Sequence, residues 1–285
     1  MINQRMGEVT KPPSDAPAGW PGVLLLALLV FAALAVTGPV AARDYVAAVE
    51  TRPGVTQGYY VIEPRGEPRA IVFLFLGGDG ALALDSQGPT KLKGNFLFRV
   101  RDNLSRAGLL LALPDAPSDQ SRGLGNFRTS ANHAQDVKAV IQALKAKANL
   151  PVFLIGTSRG TVSVANVAAR LEPSLIQGIL LTSTVTERSR NKLYSVRDTA
   201  LADIRVPAFV MSHRDDGCYV TPASDTPWLL RAMSNAPRKD SAILTGGKPP
   251  KSDPCEAFAQ HGFFGIEDEA AKAMTDWIAS VLAAR

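Results

Sequence analysis

The chain has little of what several protein classes require. Two cysteines and three histidines in 285 residues are too few for a zinc-ribbon or zinc-finger array. The net charge of +5 comes without a dense Lys/Arg cluster, so no nucleic-acid partner is expected. Internal repeats, low-complexity tracts and an internal linker after residue 43 are also missing. A mean hydropathy of only +0.04 excludes a polytopic membrane protein. With 20% charged and 46% hydrophobic residues, the composition excludes disordered, collagenous and disulfide-dense chains. The length fits one large α/β domain or two small ones.

One long apolar run is present. Val23 to Val36 reads VLLLALLVFAALAV, unbroken by a polar residue. A polar stretch with Arg5, Glu8, Lys11 and Asp15 precedes it, and Gly38-Pro39 follows. Val40 and Ala42 suit the small positions of a signal-peptidase site. Residues 1–42 therefore read as a secretory signal cleaved before Arg43, which makes the mature protein periplasmic or secreted. The alternative is an uncleaved anchor in the inner membrane, since residues 20–42 are long enough to span a bilayer. A buried soluble helix fits poorly, because the run has no polar face.

Residues 43–285 read as one doubly wound α/β domain with a mostly parallel sheet. Ile71–Leu76, Leu109–Leu113, Val152–Ile155, Ile179–Leu181 and Pro207–Met211 are short apolar runs without alternation. Strands covered on both faces have that pattern. Ala134, Val137, Val140, Ile141 and Leu144 form one helical stripe, with Ser130 or Asn132 as its cap. Ile266, Ala270, Ala273, Trp277, Ile278 and Val281 form another. Its first turn carries Glu267, Asp268 and Glu269, where acidic groups complement the helix dipole. Alternating strands and helices imply an α/β sheet. About 25 residues separate Leu181 from Pro207, which leaves no room for a large cap domain. The loops at 116–131 and 182–200 are expected to wall an open site. The loops at 116–131 and 246–262 are long, and such loops are often functional.

The chemistry centres on Gly156-Thr157-Ser158-Arg159-Gly160. The pentapeptide G-x-S-x-G is common by chance, but here it follows the apolar run PVFLI and precedes the helical segment TVSVANVAARL. A strand–turn–helix setting projects the serine above the sheet edge. Ser158 is the expected nucleophile; an incidental serine in a tight turn is the alternative. A serine hydroxyl needs a positioned base. In this arrangement the order is Ser, acid, His, so His133, which precedes Ser158, reads as structural. His213 is followed at once by acids and reads as shaping its loop. That leaves His261, just before the last helix. An acid must fix the imidazole tautomer. Asp215 and Asp216 both follow the strand ending at Met211, and Asp216 is favoured by position. Oxyanion donors are expected from the Arg159 N–H and from Gly77-Gly78-Asp79-Gly80, through the Gly78 and Asp79 amides. This loop lacks the G-x-G-x-x-G spacing of a dinucleotide site, although a structural glycine turn remains open. No cofactor or metal is expected.

Cys218 lies two residues after Asp216, and Cys255 six before His261. In an exported chain a disulfide between them is permitted and would restrain the acid and base loops together. Two separate buried thiols are the alternative.

GGDG, GTSRG, HRDDGC and QHGFFG together resemble the α/β-hydrolase superfamily of serine hydrolases over about residues 58–284. DPC followed by HGFFGIE is also similar to exported bacterial members of unassigned substrate. The resemblance implies Ser158 as nucleophile, Asp216 as acid and His261 as base. Two positions depart from common members: Gly77 stands where a histidine is often found, and Arg159 where a smaller residue is usual. The implied activity is carboxylic-ester hydrolysis through an acyl-enzyme, with a small-molecule ester or amide as partner. Peptidase or amidase action on the same triad is one alternative, and a non-catalytic binding protein on a hydrolase scaffold is another. Arg122, Arg128 and Arg159 could favour an acidic substrate, though exposed arginines are ordinarily just solvated.

Overall fold

The computed structural model describes residues 44–189 and 194–284. The segment read as a signal or anchor, residues 1–42, lies outside the described residues. In chain order, β1 (Tyr45–Arg52) and β2 (Val55–Ile62) form a hairpin, and β3 (Ala70–Phe75) follows. A two-residue pair, β4 (Leu84–Asp85) and β5 (Gly88–Pro89), precedes α1 (Phe96–Arg99) and α2 (Arg101–Arg106). Next come β6 (Leu109–Pro114), α3 (Ala131–Lys147), β7 (Val152–Thr157), α4 (Gly160–Arg170) and β8 (Gly178–Thr182). The chain ends with β9 (Ala208–His213), α5 (Thr226–Ala232), β10 (Lys239–Leu244) and α6 (Glu267–Ala283).

The main sheet has eight strands in the order β1-β2-β6-β3-β7-β8-β9-β10. From β6 to β10 every pairing is parallel, while the β1–β2 and β2–β6 pairings are antiparallel. Central strands alternate their side chains between two cores. In β3, Ile71, Phe73 and Phe75 pack with residues of α3 and α4, whereas Ala70, Val72 and Leu74 pack with residues of α6. Both faces are covered, so all six residues of β3 are apolar and buried.

The edges account for the strands that pattern reading passes over. β10 alternates exposed and half-buried along KDSAIL, and β1 is mostly half-exposed. Neither contains a continuous apolar run. Ser130, rather than Asn132, caps α3, accepting from the His133 N–H at 3.0 Å. Between Leu181 and Pro207 the described chain carries two 3-10 turns, at Val196–Asp198 and Leu201–Asp203, and no cap domain.

His133 is structural and costly to charge. Its ring is buried near the start of α3, with Phe75 and Phe127 edge-on at 6.3 and 5.6 Å. Neither ring nitrogen has a partner among the described residues. Burial, assisted by the nearby Arg128 guanidinium, pushes its pKa down to about 3 from 6.5. The unfolded chain therefore binds a proton below pH 6.5 that the folded chain refuses until about pH 3. Folding stability should fall with pH across that window, by about 1.4 kcal/mol per unit from this group. Urea unfolding of His133→Leu, followed from pH 7 downward, should show an acid slope shallower by one proton; an unchanged slope would refute the assignment.

Candidate active site

Ser158 sits where β7 turns into α4. Its φ of +52° is a left-handed conformation that a non-glycine residue adopts only when the surroundings impose it. The impositions are identifiable. The Ser158 N–H donates to the Thr182 carbonyl at the end of β8, at 3.0 Å, and its own carbonyl accepts from Thr161 Oγ1 at 2.6 Å. The flanking glycines are required by close approach. A Cβ on Gly156 would lie 2.6 Å from the Gly160 carbonyl oxygen, and one on Gly160 would lie 1.9 Å from that of Phe75. The start of α4 thus presses directly on the end of β3.

Ser158 opens on a cavity of about 540 Å³ that His261 also lines. His261 Nδ1 is 3.1 Å from Asp216 Oδ2. Thr221 Oγ1 lies 2.9 Å from the same carboxylate oxygen and 3.2 Å from Nδ1. The other carboxylate oxygen accepts the Cys218 N–H at 2.9 Å. The carboxylate is 1% exposed and the imidazole 6%, so this is a buried, hydrogen-bonded pair. With Nδ1–H directed at the carboxylate, Nε2 carries the lone pair, as a general base requires. Asp215 is exposed, with its nearest charge the Arg214 side chain at 3.6 Å. The geometry thus brings Asp216, and not Asp215, to the imidazole. His213 takes the loop-shaping place: its Nδ1 accepts the Asp215 N–H and its Nε2 donates to the Gly246 carbonyl, both at 3.1 Å.

Gly77, Gly78 and Arg159 line the cavity. The N–H groups of Gly78 and Arg159 donate to no described residue, leaving both available to an incoming oxyanion. Asp79 differs from expectation. It is not among the cavity-wall residues, although its N–H, like that of Gly78, donates to no described residue. Its carboxylate accepts the Ala81 N–H at 3.0 Å and its carbonyl the Leu124 N–H at 2.8 Å. Of the two amides expected from this loop, only that of Gly78 belongs to a wall residue.

The walls also differ in part. Val185, Glu187, Ser189 and Tyr194 supply one side, from the expected 182–200 stretch, but no residue of 116–131 lines the cavity. That segment instead buttresses the oxyanion loop from behind. Arg128, 1% exposed, donates to Ser163 Oγ of α4 at 2.7 Å and to the Leu76 carbonyl at 3.3 Å. Its guanidinium lies so close to Gly80 that a Cβ there would sit 2.3 Å from Nη2. Burial lowers its pKa to about 10 from 12.5. Arg122 is exposed, and Arg159 alone of the three reaches the cavity.

Sequence reasoning missed three residues that hold the base. Arg99 Nη1 donates to the carbonyls of Gly94 and Ala257, at 2.7 and 2.8 Å, and Nη2 to that of Gly262 and to Glu267, at 2.6 and 3.0 Å. It therefore grips the loop on both sides of His261. Ser183 Oγ donates to the His261 carbonyl at 2.7 Å, and Thr221 bridges acid and base. No short-range pattern marks any of them, since the partners each has around His261 are distant in sequence.

Cys218 and Cys255 are bonded, closing a separation of 37 residues. The bridge joins the loop after Asp216 to the segment before His261, and both cysteines line the cavity.

The chain matches no protein-family model and no curated protein. It does share its fold with solved structures. A cold-adapted esterase from an Arctic intertidal metagenomic library aligns at 17% identity and a TM-score of 0.56, over 84% of this chain and 94% of that one. A dienelactone hydrolase from Anabaena variabilis aligns at 15% identity and 0.56, over 84% and 98%. An acylaminoacyl peptidase from Pyrococcus horikoshii aligns at 8% identity and 0.58, over 84% of this chain but 41% of its own. The chain has the α/β-hydrolase fold.

A bridge closing a loop of 37 residues is worth about 4 kcal/mol by loop-closure entropy. The paired variant Cys218→Ser/Cys255→Ser should lose roughly 2–4 kcal/mol in urea unfolding. A midpoint equal to that of the parent would remove the bridge from the stabilising features.

Proposed function

We propose that the protein is an exported serine hydrolase that cleaves carboxylic esters through an acyl-enzyme. The reading rests on one juxtaposition: a serine forced into a left-handed turn shares its cavity with a buried, hydrogen-bonded His261–Asp216 pair. Ser158 Oγ adds to the ester carbonyl while His261 Nε2 takes its proton. The Gly78 and Arg159 N–H groups hold the oxyanion. Collapse expels the alkoxide, which leaves as the alcohol with the proton from His261. Water then repeats the sequence on the acyl-enzyme, regenerating Ser158. Asp216 keeps Nδ1–H oriented and stabilises the imidazolium. Esterase relatives in fold support the choice of reaction, and the disulfide supports an oxidising compartment, to which residues 1–42 would direct the chain.

The test is covalent labelling of purified protein with a fluorophosphonate probe, beside Ser158→Ala and His261→Ala. Labelling of the parent that vanishes in both variants supports the reading. An unlabelled, folded and oxidised parent overturns it and favours a binding protein on this scaffold. Matched ester and amide substrates then separate esterase from amidase action. Asp216→Asn should lower kcat about a thousandfold to ten-thousandfold. Asp215→Asn, a surface change, should stay within about twofold of the parent. The reverse ranking would move the acid to Asp215.

A further inference from the structure

Among the described residues, Asn95 is the one neutral amide side chain in the cavity wall, and neither the sequence motifs nor the triad use it. Its orientation is set by bonding. Asn95 caps α1, and its side chain accepts the Leu97 N–H at 3.1 Å. Only the carbonyl oxygen can accept, so this bond identifies Oδ1 and leaves Nδ2 as the free end. Nδ2 donates to no described residue. It lies beside the loop that follows β3: a Cβ on Gly77 would be 3.4 Å from Asn95 Nδ2 and 3.0 Å from Ser158 Cβ. The amide and the serine therefore abut the same spot, next to the Gly78 N–H.

Its neighbours hold that placement. Phe96, the next residue, packs on Phe263 at a centroid distance of 4.7 Å. Gly94, the previous one, gives its carbonyl to Arg99. Arg99 also grips the loop around His261, and Phe263 lies two residues after His261, so Asn95 and His261 are positioned by shared contacts. A donor fixed before the reaction, in a partly enclosed site, costs no reorganisation when charge develops.

We propose that Asn95 is a catalytic residue, its Nδ2–H₂ group supplying a side-chain oxyanion donor beside the Gly78 and Arg159 backbone amides. The proposal rests on the serine-hydrolase reading above. When Ser158 Oγ bonds to the carbonyl carbon, the π pair moves onto the carbonyl oxygen. The Ser158 proton goes to His261. Asn95 donates to the resulting alkoxide oxygen and keeps its own protons throughout. The bond strengthens as charge develops and weakens when the carbonyl re-forms, so it lowers the barrier more than it tightens substrate binding.

Capping and donation separate cleanly in two variants. Asp caps a helix as well as Asn does, but Asn95→Asp replaces the donor with an acceptor. Asn95→Ser keeps a capping oxygen and withdraws the amide. The experiment compares kcat and KM on a p-nitrophenyl ester for the parent, N95D, N95S and Ser158→Ala, with thermal melts of each. Both Asn95 variants should lose about a hundredfold or more in kcat, with KM and melting temperature close to the parent. A capping role alone predicts parental kcat in N95D, and that result overturns the proposal. So does a fall in kcat that merely tracks loss of folded protein. A parent no more active than Ser158→Ala fails the serine-hydrolase reading itself. An active parent matched by both Asn95 variants fails only the assignment of Asn95.

Discussion

The contact between Gly160 and the carbonyl of Phe75 sets the rest of the site. It joins two elements far apart in sequence: the end of β3, where the Gly77–Gly80 loop starts, and the first turn of α4, where the Ser158 turn ends. No side chain fits between them, because a single Cβ at Gly160 would lie 1.9 Å from the Phe75 oxygen. Once the backbones meet there, Gly77 falls against Ser158, and Gly78 and Arg159 line the same cavity. The left-handed turn at Ser158 costs on the order of 1–3 kcal/mol. Packing of β7 and α4 into buried cores on both sides offsets it. Ser158 cannot relax without disturbing β3, β7 and β8 together, since its N–H is also tied to Thr182.

The other half of the site is built differently. Asp216 and His261 come from irregular segments after β9 and before α6, with no regular ladder to define them. Their geometry comes from individual bonds. Thr221 and the Cys218 N–H hold the carboxylate of Asp216, Ser183 holds the backbone of His261, and Arg99 holds the residues around it. The disulfide then limits how far the two loops can separate. Loops ordinarily sit at the low-stability end of a fold. Here several charged or covalent links replace the regular packing that fixes Ser158.

This contrast explains what the sequence made legible. Central strands announced themselves because burial on both faces demands unbroken apolar runs, and β3, β6, β7, β8 and β9 were found within a few residues. The serine turn was legible because its glycines are compelled by backbone contact. His261 emerged from a shortage of histidines, and Asp216 from its place after β9. Edge strands β1 and β10 were missed because one-sided burial leaves a weak pattern, and β2 because its buried stretch Tyr59–Ile62 is only four residues long and follows the polar Thr56-Gln57-Gly58. Asp79 was placed on the cavity wall because a glycine-rich string does not reveal which of its residues face a cavity. It lies off the wall, with its carbonyl held by the Leu124 N–H across a long loop. The loop at 116–131 was placed as a wall for the same reason. Its role depends on Arg128 reaching the Leu76 carbonyl and Ser163, contacts invisible to local pattern.

Arg128 also shows why the back of the site is polar at all. A buried guanidinium without a carboxylate partner is a poor source of stability, and its pKa is drawn down by burial. At neutral pH it nevertheless stays protonated, since a value of about 10 leaves little of the neutral form. Its charge lies behind the Leu76–Gly80 turn, and on its far flank it adds to the burial that keeps His133 neutral. An apolar residue at 128 would pack α4 against the 116–131 loop without that cost. What it would lack is a donor for the Leu76 carbonyl and a positive charge directly behind the Gly77–Gly80 loop. If Ser158 attacks an ester as proposed, that costly interior charge sits behind the place where the oxyanion would form.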